Sequence, residues 1–486
     1  MFGVPRGALC AVLVTGAVLI PAAAAPAPVI GTRVTEIVSP PGGAPPAGGP
    51  SDDTTYAQDT GVARDDPTGG PRPADHDVTF SQDNRKVRYV AYDSSASNLV
   101  AGDANGKRDV IVMKRNAPGT GQITGSLSLG SVSSSGEQGN GDSIKPSLDG
   151  LSTLGQDAVA PHCLTFQSQA TNLSPADTSS DWDVYLHDLD SGRTTLVSKG
   201  RENATDGVVD GYCRRVSFAA GGRVWVYDVA QGTARRVGRG SHPDLQTNGE
   251  GVAFDRGGQV YYQPLSEHRE KVRRSGGRQL VSNSATNAKR GGNGVSSDPN
   301  LDNDGVYVVF ESTATDLCLS RCRGISEDRN GATRDVFRRT LRQSPSGGPD
   351  EMEMVSYDAG TDTQGDLQSD QVHVSGHGEQ AVFRSFAKNL RDLKFDGPPS
   401  DGPFMHVYFW NFPRERGAGN LSGESKCCRT GEFHLADGRP AFSWSPAISN
   451  RGTFVGFTSR EENESGEANG QAVPDAFVRF MGLSDE

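Results

Sequence analysis

Val308-Val309-Phe310-Glu311-Ser312-Thr313-Ala314-Thr315-Asp316-Leu317 decides the fold. Apolar residues up to an aromatic, then a Ser, describe a short half-buried strand running into a turn. The same pattern recurs along the chain. It reads Val90-Ala91-Tyr92-Asp93-Ser94 before Ala96-Ser97-Asn98-Leu99, and Leu164-Thr165-Phe166-Gln167-Ser168 before Ala170-Thr171-Asn172-Leu173. It returns as Ala381-Val382-Phe383-Arg384-Ser385 before Ala387-Lys388-Asn389-Leu390, and as Val455-Gly456-Phe457-Thr458-Ser459. Two compact copies centre on Phe218 and Phe254 and lack the Asn-Leu loop.

Around this strand the rest of a unit assembles. A first strand ends in a tight turn, often Asp-Gly or Asn-Gly. The aromatic strand follows, then a third strand such as Asp109-Val110-Ile111-Val112, Asp183-Val184-Tyr185-Leu186 or Asp335-Val336-Phe337. A fourth ends in Val-Ser, at Val132-Ser133, Val197-Ser198, Val281-Ser282 and Val355-Ser356. A lone four-stranded meander cannot bury both faces, but a ring of them can. The expected fold is all-β, a single β-propeller over residues 75–486 with about seven four-stranded blades. The count becomes six if a compact copy is misread. The last unit stops after its third strand, Asp475 to Phe480, while Thr35-Glu36-Ile37-Val38-Ser39 at the other end is of fourth-strand type. Residues 25–39 are therefore expected to supply the strand that closes the ring. Residues 40–74, rich in Pro, Gly and Asp, read as a flexible loop.

Residues 1–24 read as a secretory signal: Arg6, an apolar stretch over residues 8–20, then Pro21 and Ala22-Ala23-Ala24. The stretch is shorter than the roughly 20 residues of a membrane span. Export also suits the cysteines. Of seven, Cys10 leaves with the leader, and Cys163, Cys213, Cys318, Cys322, Cys427 and Cys428 remain as disulfide candidates. The expected pairs are Cys163 with Cys213 and Cys318 with Cys322. Cys427 and Cys428 form either a vicinal pair or bonds to other partners. A net charge of −12 and a mean hydropathy of −0.52 disfavour nucleic acid, anionic membranes and any membrane span in the mature chain. The basic run from Arg269 to Arg274 reads as a solvated loop.

On these repeats the sequence resembles the TolB-like, WD-repeat-like β-propellers of exported bacterial proteins. The resemblance covers about Asp75 to Phe480 and implies an architecture, not an activity. It leaves no room for the N-terminal α/β domain of TolB itself, so the envelope-transport role does not carry over.

Candidate chemistry is sparse. Asp103, Asn105 and Asp109 around Gly106 resemble a short calcium loop, with Asp328, Asn330 and Asp335 as a longer cousin. An Asx turn bonding its own backbone explains the same spacing. Calcium is thus the one cofactor with a candidate site. His373 and His377 have zinc spacing only on a helix, and here they flank a turn. Trp182, Trp225, Trp410 and Trp444 read as packing between blades rather than a sugar platform. No nucleophile elbow, P-loop or dinucleotide fingerprint occurs.

The expected role is a secreted, monomeric binding or scaffold protein recognising a protein or cell-wall ligand through one face. The alternatives are a hydrolase or lyase at the channel mouth, and a regulatory propeller for a separate peptidase. A cluster of titration-shifted groups in the channel favours an enzyme. A large exposed aromatic patch favours binding.

Overall fold

Each copy folds as an antiparallel meander whose middle strands are buried on both faces, as Cys163–Ser168 is at every residue, and glycine-containing turns join neighbours. The computed structural model describes residues 35–37, 77–83, 86–97, 99–120, 124–151, 159–265, 277–318, 322–323, 328–341, 352–358, 363–387, 389–390, 406–411, 443–459 and 475–480. No helix occurs among them, and so none long and apolar enough to cross a membrane.

Among the described residues, seven sheets have three or more strands. Blade 1 is Thr79–Phe80, Tyr89–Ser94, Asp109–Arg115 and Gly125–Leu129. Blade 2 is Ser143–Leu148, Cys163–Ser168, Asp183–Asp188 and Thr194–Leu196. Blade 3 is Thr205–Val209, Arg215–Ala220, Arg223–Asp228 and Thr233–Arg239. Blade 4 is Ser241–Leu245, Gly251–Arg256, Gln259–Pro264 and Gln279–Leu280. Both compact copies are therefore complete blades. Blade 5 is Ser296–Leu301, Tyr307–Ser312, Asp335–Thr340 and Met352–Met354, with Cys322–Arg323 added in parallel. Blade 6 shows three strands, Ser369–Val374, Gln380–Ser385 and His406–Asn411. Blade 7 is Ser443–Ile448, Phe454–Ser459 and Asp475–Phe480, completed by Thr35–Ile37.

That last pairing closes the ring. Thr35 lies opposite Arg479, Glu36 opposite Val478 and Ile37 opposite Phe477. Blades 7 and 1 also share a core, with Phe80 and Phe454 ring centroids 6.3 Å apart and Val78 and Phe80 packed over Gly456. A belt of amide bonds links the first hairpins. Gln82 N–H donates to Asp149 O (3.1 Å), Gly211 N–H to Thr247 O (2.7 Å), Gly376 N–H to Asn450 O (2.8 Å), and Asn450 Nδ2 returns to Gln82 O (3.1 Å).

The aromatics lie where the pattern demands. Tyr92, Phe166, Phe218, Phe254, Phe310, Phe383 and Phe457 are all buried. Four of them stack on a third-strand ring across the pair, as Phe166 does on Tyr185 at 5.6 Å.

The Asp-Val and Val-Ser signatures turn out to be one hydrogen-bond device. The Ser356 hydroxyl donates to Asp335 Oδ1 (2.7 Å) and accepts from Val336 N–H (3.2 Å). Ser198 repeats this with Asp183 and Val184, and Ser282 with Gln259 and Val260. In blade 1 the serine is Ser131, bonded to Asp109 and Val110, so Val132-Ser133 is not the equivalent pair. The fourth strand there ends earlier, at Leu129.

Cys163 and Cys213 form a disulfide joining blades 2 and 3, and Cys318 is also disulfide-bonded. Cys427, Cys428, the expected signal over residues 1–24, residues 40–74 and the run from Arg269 to Arg274 lie outside the described residues.

Candidate functional site

The first strands stand around a central channel, a cavity of about 330 Å³ to which all seven blades contribute. In six of them the ladder slips by a bulge, and the bulged residue has positive φ: Lys145 (52°), Asp206 (56°), His242 (44°), Asp298 (50°), Gln371 (51°) and Ser445 (47°). A bulge re-aims a side chain, and a non-glycine residue in this conformation is strained by roughly 1–3 kcal/mol. Asp77 lines the channel from blade 1. Two residues further along each strand, Thr79, Ser147, Val208, Asp244, Asn300, His373 and Ala447 line it as well.

Opposite charges meet at two places on the wall. Lys145 Nζ meets Asp206 Oδ1 at 2.9 Å. Burial alone would raise the Asp206 pKa, but Lys145 and His242 outweigh it and hold the carboxyl below its usual range. His242 Nδ1 lies 2.5 Å from Asp255 Oδ2 and 3.7 Å from Asp298 Oδ1. The Asp255 bond pushes the imidazole up to about 9, so His242 is a cation at neutral pH. Asp244 accepts from Leu301 N–H at 2.6 Å, and burial still raises its carboxyl to about 7.

Behind the wall lies an ion network. Arg384 Nε and Nη2 reach Asp370 Oδ1 and Oδ2 at 2.7 and 2.8 Å, and both side chains are buried. Arg334 bridges from Asp370 to Glu311, which accepts the Gln371 N–H. This network fixes the bulge of blade 6.

The residues singled out in the sequence sit elsewhere. In the first loop, Asn105 Nδ2 donates to Asp109 Oδ2 (2.7 Å) and Gly139 O (3.0 Å), while its Oδ1 accepts from Lys107 N–H (2.9 Å). Asp109 Oδ1 holds Ser131, and burial raises its carboxyl to about 6. Asp103 is half-buried at the loop edge. In the second loop, Gln364 Nε2 bridges Asp328 Oδ1 and Asp335 Oδ2 at 3.0 and 2.9 Å, and Asn330 Nδ2 donates to Gly365 O. These are Asx turns that join blades. Among the described residues, the one group of three His, Cys, Asp or Glu ligand atoms close enough for a metal is Asp149, Cys163 and Cys213, and its two sulfurs form the disulfide.

His373 faces the channel from its strand, and His377 lies half-buried in the following turn. Trp410 and Trp444 are buried, whereas Trp182 and Trp225 are half-buried.

The strand order defines this chain as a β-propeller closed by its N-terminal strand. No family model and no curated protein matches it. Among solved structures it is similar to TolB from Acinetobacter baumannii, with 12% identity over 62% of this chain and 59% of that one, TM-score 0.34. It is similar to the tricorn protease, with 9% identity over 82% of this chain and 34% of that one, TM-score 0.40. A third is the β-propeller domain of the Trilobed protease from Pyrococcus furiosus, with 11% identity over 65% and 80%, TM-score 0.34. The chain thus spans 59% and 34% of the first two, and residue roles here rest on its own geometry.

Proposed function

We propose that the protein is an exported binding scaffold whose channel wall receives a protein or cell-wall ligand. The bulge repeated in six blades carries this reading, because it sets Lys145, Asp206, His242, Asp298 and Gln371 on the wall at the expense of backbone strain. Rigid strands that present polar groups from many blades suit recognition of a ligand bearing hydrogen-bonding and cationic groups.

A second reading, a hydrolase or lyase, draws on Asp244 and His242, whose titrations are shifted. Similar shifts occur at Asp109, Asp183, Asp302 and Asp335, where burial of structural carboxylates is the main cause. Perturbation therefore does not single out the channel. An imidazole held protonated to about 9 is also unable to act as a base at neutral pH. Large exposed apolar side chains are limited to Val295 among the described residues, so an aromatic docking patch supports neither reading.

The test is co-sedimentation of residues 25–486 with cell-wall material, and cross-linking to secreted proteins of the source cells. Saturable capture by the wild type that is lost in Asp206→Asn/Asp298→Asn supports the channel as the binding site. Capture unchanged in that variant removes it. Turnover of a substrate that Asp244→Asn abolishes would establish the enzyme instead.

A further inference from the structure

A second cavity, of about 520 Å³, opens between the outer strand of blade 2, Thr194–Leu196, and the outer strands of blade 3. Its volume falls in the roughly 300–1,000 Å³ range of small-ligand pockets. The lining contains Arg193, Lys199 and Arg201 and no carboxylate. None of the three makes an ion pair among the described residues, in a chain whose net charge is −12.

Arg201 is the best-positioned of the three. Its guanidinium lies 4.2 Å from the Trp225 ring centroid and 5.9 Å from that of Phe218. Nη1 donates to Lys199 O (2.8 Å) and Nη2 reaches Ala234 O (3.4 Å), which fixes the plane of the fork. Nε is buried with no hydrogen-bond partner. Burial lowers the guanidinium pKa, as expected for a cation partly stripped of water without a counter-ion. Tyr227 and Thr233 also line the cavity. A guanidinium stacked on Trp225, with Arg193 and Lys199 in the same lining, matches an oxyanion, which accepts from the terminal amino groups and neutralises the cluster.

We propose that this cleft is an oxyanion-binding site. It takes a carboxylate or phosphate group of a larger anionic ligand, with Arg201 as the planar contact and Arg193 and Lys199 as flanking charges. The site is separate from the channel, and its test does not depend on the channel reading.

Calorimetric titration of residues 25–486 at low salt with a hexamer of glycerol phosphate, and with a tetramer of a uronic acid, tests it. The expected result is saturable binding of at least one probe, and the probe that binds identifies the oxyanion. Binding should weaken at least tenfold in Arg193→Gln/Lys199→Gln and in Arg201→Gln, and should return in part in Arg201→Lys. Arg193 and Lys199 are exposed, so the double variant reports on binding even if Arg201→Gln loosens the Trp225 stack. No saturable binding of either probe by the wild type, or wild-type affinity in the double variant, overturns the proposal.

Discussion

Asp370 shows how much a single side chain carries. Its carboxylate holds Arg384 from both oxygens and neighbours Arg334, and both members of the main pair are 0–1% exposed. Asp370→Ala leaves a buried guanidinium without its partner and should lower stability by about 3–5 kcal/mol, read as a fall in the urea midpoint. An effect below about 1 kcal/mol would show that water reaches Arg384. The Asp-x-Asn-Gly loops at residues 103–106 and 328–331 depend on single side chains as well. Their spacing fits a calcium loop and an Asx turn equally well, because both need short oxygen-bearing side chains on a sharply turned backbone. In the first loop what separates them is the direction of one amide, invisible in sequence. Asn105 turns its N–H₂ toward Asp109, and two further bonds fix that orientation. Melting of calcium-loaded protein should accordingly be unchanged by EDTA. A clear drop in melting temperature would instead show a bound cation.

At the scale of strands, the aromatic second strands were legible because burial between blades enforces one large ring per repeat. The third and fourth strands were legible through Asp and Ser, although the reason, a serine bridging the carboxylate and the next amide, needed the structure. Blade 1 misled because Val132-Ser133 sits close behind the serine that forms the bridge, Ser131. The channel bulges were missed altogether. They carry Lys, Asp, His, Gln or Ser where positive φ usually draws Gly. The available signal was the proline that follows four of them, Pro146, Pro243, Pro299 and Pro446. The bond between Cys163 and Cys213 spans 50 residues and ties two blades together. Cys163→Ser/Cys213→Ser should destabilise the protein by roughly 2–4 kcal/mol in denaturant melts, and an unchanged midpoint would mean that the bond does not restrict the unfolded chain.

Across the whole molecule, buried carboxylates give stability a pH dependence. Burial raises Asp109 and Asp183 to about 6, Asp302 and Asp335 to about 7, and Asp149 to about 8. In the unfolded chain each ionises near 3.8. Between these values the folded state holds protons that the unfolded state has lost, so their contribution is full below about 4 and is lost as pH rises through 6 to 8. His242, raised to about 9, adds a loss in the same direction. The urea midpoint should fall from pH 6 to pH 9, and Asp149→Asn should flatten the part near pH 8. A midpoint that rises over this range would contradict these assignments.

The ring is closed by the chain's own N-terminal strand, which holds the channel wall in register. Hydrogen exchange of residues 25–486, followed by mass spectrometry, tests it most directly. Thr35–Ile37 should exchange slowly, together with its partner Asp475–Phe480 and at a rate like that of the outer strand Thr233–Arg239. Complete exchange of Thr35–Ile37 at the earliest time point, with the other outer strands protected, would contradict it.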